Sequence, residues 1–130
     1  MTDQRTRLQF IVAVADIPAG GLGFTYTSGP FTEGGILVLA NTGVRGWRNR
    51  CSHLAVPLDH DDPGRFTTSD HRHLVCGKHG ALYRPEDGEC VAGPCPGARL
   101  RPLPIVVKGG NAYLDVESLP DPLAGLQPKP

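Results

Sequence analysis

Two short stretches of this sequence combine side chains that bind soft metals: Cys51-Ser52-His53 and Cys76-Gly77-Lys78-His79. Each pairs a thiol with an imidazole, and 22 residues, Leu54 to Val75, lie between them. Thiolates select zinc, copper(I) and iron–sulfur clusters, and imidazole suits zinc and iron. Three readings follow. A structural zinc site would take all four as a closed tetrahedron, although zinc modules usually keep ligands of one kind together. A 2Fe–2S cluster with both thiolates on one iron and both imidazoles on the other would draw one ligand of each kind from each arm. The third reading has no metal, with two buried cysteines and two surface histidines.

Something must hold these two arms face to face. Gly and Pro make up 30 of the 130 residues, about twice the usual share. A chain so punctuated predicts short strands and many turns. Strands are expected at Phe10–Ala15, Phe24–Thr27 and Ile36–Ala40. The last of these is a short, continuous apolar run of the kind buried on both faces. Asn41-Thr42-Gly43 supplies hairpin chemistry, so Val44–Asn49, with Trp47, should pair back. A final hairpin runs from Ile105–Val107 through Gly109-Gly110-Asn111 to Ala112–Val116. No stretch of helical period reaches ten residues. All four cysteines and all five histidines fall between Arg50 and Pro104. The expected layout is an all-β scaffold built from both ends of the chain, carrying a Cys/His-rich insertion. The insertion has few large apolar residues, so it is expected to need a staple in place of a core. Ser118 to Pro130 has four prolines and no periodicity, and reads as a tail.

Thirteen basic and thirteen acidic residues cancel to a formal charge of +0. Nucleic-acid recognition needs a basic surplus, so that class of partner is excluded. No apolar run approaches the ~20 residues of a membrane-spanning helix. Arg5 and Arg7 ahead of Leu8–Ala15 superficially mimic a signal peptide. Gln9 interrupts the apolar stretch and Asp3 sits in its basic flank, so a first strand is expected and the compartment is read as cytoplasmic.

With its second motif continuing as Gly80-Ala81, then a Gly88 turn, then Gly93-Pro94, the sequence resembles Rieske-type iron–sulfur proteins. The resemblance is to the bacterial ferredoxin and ring-hydroxylating-dioxygenase class, over roughly Phe10 to Val116. It implies a 2Fe–2S cluster of Rieske type, with Cys51 and Cys76 on the inner iron and His53 and His79 on the outer one. It implies a small β-sandwich or barrel, residues 8–49 and 102–117, with a rubredoxin-like cluster-binding insertion at 50–101, all within one domain at 1–117 followed by a tail at 118–130. Pro94 would belong to the loop covering the cluster. Respiratory members clamp the two ligand loops with a disulfide; Val56 and Lys78 occupy those positions here, so no clamp forms. Those members also carry a Ser where this chain has Ala81, whereas their Tyr that bonds a ligand sulfur is matched by Tyr83. The lost hydroxyl implies a potential in the lower half of the family's span of about −150 to +300 mV.

The remaining candidates have plainer readings. Cys90 and Cys95 read as two small buried residues, with a disulfide disfavoured in the cytoplasm. Cys95 also follows Pro94 closely enough to lie near the cluster. His60, His71 and His73 fall in a long gap that reads as a solvated loop. Trp47 reads as packing beneath the insertion. Between Arg48 and Arg101 eight basic residues face seven acidic ones, and Lys78, beside His79, is the candidate docking charge. Only fourteen residues follow Val116, so a mononuclear iron domain of an oxygenase is not expected and neither is turnover by this chain alone. The leading expectation is a one-electron carrier between a flavin reductase and a terminal oxygenase. The alternatives are a small subunit of a larger redox enzyme, as in nitrite reductases, and a non-redox binding module stapled by the cluster.

Overall fold

A computed structural model describes residues 7–51, 56–78, 80–93 and 97–119. Strand β1 (Leu8–Ala13) pairs with β10 (Asn111–Asp115), which pairs in turn with β9 (Ile105–Lys108), giving a three-stranded antiparallel sheet. A second sheet runs β2 (Leu22–Ser28), β3 (Phe31–Ala40), β4 (Gly43–Arg48) and β8 (Pro102–Leu103). A third, smaller sheet lies within the insertion and joins β5 (Leu74–Val75), β6 (Leu82–Tyr83) and β7 (Cys90–Ala92). Every strand pair is antiparallel, and two short 3-10 turns, Val14–Asp16 and Val116–Ser118, complete the regular structure of the described residues.

The central strand explains how the layers are joined. Side chains alternate across a strand, and in β3 both faces are covered, leaving Ile36, Leu37 and Val38 buried. Ile36 and Val38 enter a core shared with the insertion, whereas Leu37 enters the core beneath β1 and β10 with Ile17 and Ala112. The continuous apolar run thus marks the strand between two cores. At the other end of the chain, Gly109 and Gly110 both take positive φ, 58° and 80°, as a tight two-residue hairpin requires.

Several boundaries differ from expectation. β1 stops at Ala13, because Val14 N–H turns to the Gly110 carbonyl at 2.9 Å and the chain enters a 3-10 turn. β3 begins at Phe31, five residues early, running straight through Gly34 and Gly35. Gly35 is a packing device: a Cβ there would lie 2.5 Å from the Phe24 ring. Asn111 belongs to β10 rather than to the turn. Of the expected tail, Ser118 closes a 3-10 turn whose Asp115 side chain accepts the Glu117 N–H, and 120–130 fall outside the described residues.

The expectation that the insertion lacks a core is corrected. Leu58, Phe66, Leu74, Tyr83 and Leu100 are all buried and pack in one cluster with Ile36, Val38 and Trp47 of the scaffold. Its large apolar residues are scattered through the sequence, so no periodic pattern exposes them. Burial of each such side chain is worth about 1.5–3 kcal/mol, so packing against the scaffold contributes to holding the insertion's shape.

Candidate metal centre

Cys51 lies three residues past the end of β4, and its N–H donates to the Val56 carbonyl at 2.8 Å. Cys76 follows β5, and two bonds shape its loop: Cys76 N–H to the Ala81 carbonyl and Gly80 N–H to the Cys76 carbonyl, both 2.9 Å. Gly80 takes φ 73°, a left-handed conformation that lets the second loop turn back. Both cysteines are buried, at 4% and 0% exposure, in the same core cluster.

Contacts across the two loops are specific. The Tyr83 hydroxyl lies 3.3 Å from Cys51 Sγ, and Tyr83 itself is fully buried. Gly93, at φ 97°, presses on the second loop so closely that a Cβ would sit 2.7 Å from Ala81 Cα. Ala81 is fully buried beneath it. From the scaffold side, Trp47 donates its indole N–H to the Pro85 carbonyl at 3.1 Å and lays its ring against Gly88. The reading of Trp47 as packing under the insertion is borne out.

The long segment between the motifs is more than a solvated loop. Asn49 braces it, accepting Leu58 N–H at 2.8 Å and donating to Asp59 at 3.0 Å. Leu58 in turn gives its carbonyl to Gly77 N–H at 3.0 Å, beside Cys76. Nothing in the sequence singles out Asn49 for this role; one amide among many polar residues carries no signal until the fold brings Leu58 to it. Of the histidines there, His60 and His71 are exposed and His73 is half-buried: His60 bonds Asp61 at 3.0 Å, and His71, at φ 60°, meets Thr67 Oγ1 at 3.1 Å. The His60 bond, helped by Lys78, holds the Asp61 carboxyl below its ordinary range. Lys78 lies 3.7 Å from Asp61, so its charge is partly answered.

His53, His79, Pro94 and Cys95 lie outside the described residues. Cys90 is buried, and its thiol donates to the Ala92 carbonyl at 3.3 Å. Among the described residues no group of three or more His, Cys, Asp and Glu converges. The donor set present nonetheless fits an iron–sulfur group: two buried sulfurs on neighbouring loops and a hydroxyl within hydrogen-bond distance of one of them.

Residues 9–118 match the Rieske [2Fe-2S] domain family. The chain therefore belongs to that family, and its cofactor is a Rieske-type 2Fe–2S cluster. Solved structures share the fold at low identity. The ferredoxin of Sphingomonas yanoikuyae B1 is 17% identical with a TM-score of 0.61, over 84% of this chain and 98% of that one. The ferredoxin of carbazole 1,9a-dioxygenase from Nocardioides aromaticivorans IC177 is 19% identical with a TM-score of 0.59, over 82% and 93%. The terminal oxygenase of carbazole 1,9a-dioxygenase from Novosphingobium sp. KA1 is 18% identical with a TM-score of 0.60, over 84% of this chain but 30% of its own. No curated protein matches. No helix among the described residues is long and apolar enough to cross a membrane.

Proposed function

We propose that this protein is a Rieske-type ferredoxin that carries single electrons from a flavin reductase to a terminal oxygenase in the cytoplasm. In this reading Cys51, His53, Cys76 and His79 hold the cluster, and residues 1–117 act as one unit with the insertion at 50–101 as its redox end. The observation that carries the reading is the fold shared with two ferredoxins, each matched over 93% or more of its own length.

A bound 2Fe–2S cluster supplies the one-electron chemistry. This chain's own residues hold its surroundings still. The Asn49–Leu58–Gly77 chain of hydrogen bonds ties the two loops together where respiratory relatives use a disulfide. Tyr83 places a hydroxyl on the Cys51 sulfur, and Gly93 packs against Ala81 at the end of the second loop. An environment that changes little between charge states lowers the reorganisation that accompanies electron transfer.

Reconstituted full-length protein tests the reading. It should show a reversible one-electron couple in protein-film voltammetry. Stopped-flow mixing should show reduction by a flavoprotein reductase and reoxidation by a terminal oxygenase. Replacing His53 or His79 by Ala should abolish the Rieske electron-paramagnetic-resonance spectrum. A couple that cannot be reversed, or a permanently co-purifying large subunit, would contradict the carrier.

A further inference from the structure

Four arginines meet at the junction of scaffold and insertion. Arg48, Arg50, Arg99 and Arg101 line a pocket of about 240 Å³, with Cys51 on its wall. They come from two Arg-x-Arg segments that the fold runs side by side. Trp47 pairs with Pro102 in the β4–β8 ladder, and one residue on, Arg48 N–H donates to the Arg101 carbonyl at 2.8 Å. Like charges facing across a ladder destabilise it, so this concentration calls for negative charge.

The chain supplies little of it. Glu33, reaching from β3, lies 3.2 Å from Arg48 and 3.6 Å from Arg50. Arg99 and Arg101 have no carboxylate within 4.0 Å among the described residues. Asp87, whose carboxyl Arg99 helps hold low, is already gripped by Arg84 at 2.9 Å. Buried polar atoms are normally hydrogen-bonded, yet Arg48 Nε is buried with no such partner among the described residues. Four guanidinium groups against one carboxylate leave a surplus of three positive charges around one small concavity.

We propose that this pocket is a binding site for a small phosphate-type dianion, either inorganic phosphate or a short phosphate monoester. Guanidinium forks match phosphate oxygens two at a time. The cavity is smaller than the ~300–1,000 Å³ of pockets that bury drug-sized ligands, and so suits a compact anion. The site is independent of the electron-carrier reading; it rests on the arginines alone.

Titration calorimetry of the full-length protein, at constant ionic strength in chloride, tests it with inorganic phosphate and with glycerol phosphate. One anion should bind per chain, and the arm that binds more tightly identifies the bare ion or the ester as the ligand. Arg99→Gln with Arg101→Gln should weaken binding by about a hundredfold, roughly tenfold per charge-assisted contact. Arg101→Lys, which keeps charge but loses the fork, should weaken it less than Arg101→Gln. Arg65→Gln with Arg72→Gln removes equal charge elsewhere and should leave affinity unchanged. Arg99 and Arg101 are exposed, and far-UV circular dichroism verifies that their variants fold. Absence of binding by either anion, or equal losses in both double variants, would overturn the site. An acidic peptide that displaces phosphate and binds more tightly than both anions would reassign the pocket to a protein partner and overturn it too.

Discussion

The Tyr83 hydroxyl and Cys51 Sγ lie 3.3 Å apart in the buried core, joining strand β6 to a cysteine 32 positions earlier. If Cys51 is a ligand, the hydroxyl donates to a charged sulfur and favours the more electron-rich state. Such bonds are worth ~1.5–3 kcal/mol, which at ~59 mV per tenfold caps the effect at roughly 60–130 mV. Tyr83→Phe should therefore lower the reduction potential by some tens of millivolts within that ceiling. Voltammetry checks it; an unchanged potential would separate the contact from the redox centre.

Ala81 offers the converse experiment. It is fully buried and gives its carbonyl to Cys76 N–H at 2.9 Å. Ala81→Ser should raise the potential, again by no more than roughly 60–130 mV. A potential that fell or stayed level would show that a hydroxyl at this position does not reach a cluster sulfur.

Gly88 carries two constraints at once. Its φ is 73°, and a Cβ there would lie 2.7 Å from the Trp47 ring. Gly88→Ala should cost about 2–4 kcal/mol, combining left-handed strain with overpacking. Gly109→Ala is the control, with φ 58° but nothing within 4 Å, and should cost only ~1–2 kcal/mol. Denaturant melts followed by tryptophan fluorescence read both; equal losses would exclude the Trp47 contact as a cause.

Asp87 sets an acid-side prediction. Hydrogen bonds from Arg84, and then from Glu89 N–H, hold its carboxyl below the ordinary range, with Arg99 adding to the effect. A lowered folded-state value means its stabilisation is present above the unfolded carboxylate range and is lost as pH falls through the folded one. Asp87→Asn should therefore be slightly less stable than wild type at neutral pH and show a shallower acid decline. Thermal melts from neutral to acid pH measure this; parallel declines would mean the Arg84 pairing contributes nothing.

The chemistry was more legible than the packing. Two Cys/His motifs announce a soft-metal site, and Asn41-Thr42-Gly43 and Gly109-Gly110 announce hairpins through local backbone demands. Where ring contacts decide, local rules fail. The strand expected from Ile36 instead begins at Phe31 and runs through Gly34 and Gly35, where the Phe24 ring fills the space above Gly35. Leu58, Phe66 and Leu100 are isolated in polar surroundings, so their common core is invisible without the fold. The Arg-x-Arg pattern repeats at 48–50 and at 99–101, but only the register of β4 with β8 makes those arginines neighbours.

The brace from Asn49 through Leu58 to Gly77 has a further consequence for how such chains diverge. It fixes the approach of the two cysteine loops within a few residues of each motif. The exposed stretch beyond it, 62–65, makes no hydrogen bond or ion pair with either cysteine loop among the described residues. Residues can be added or deleted there as readily as links in the slack of a chain whose two ends are bolted down. Variation in the length between the motifs then becomes free material for altering the rim, and a poor measure of how far apart the metal-facing loops stand.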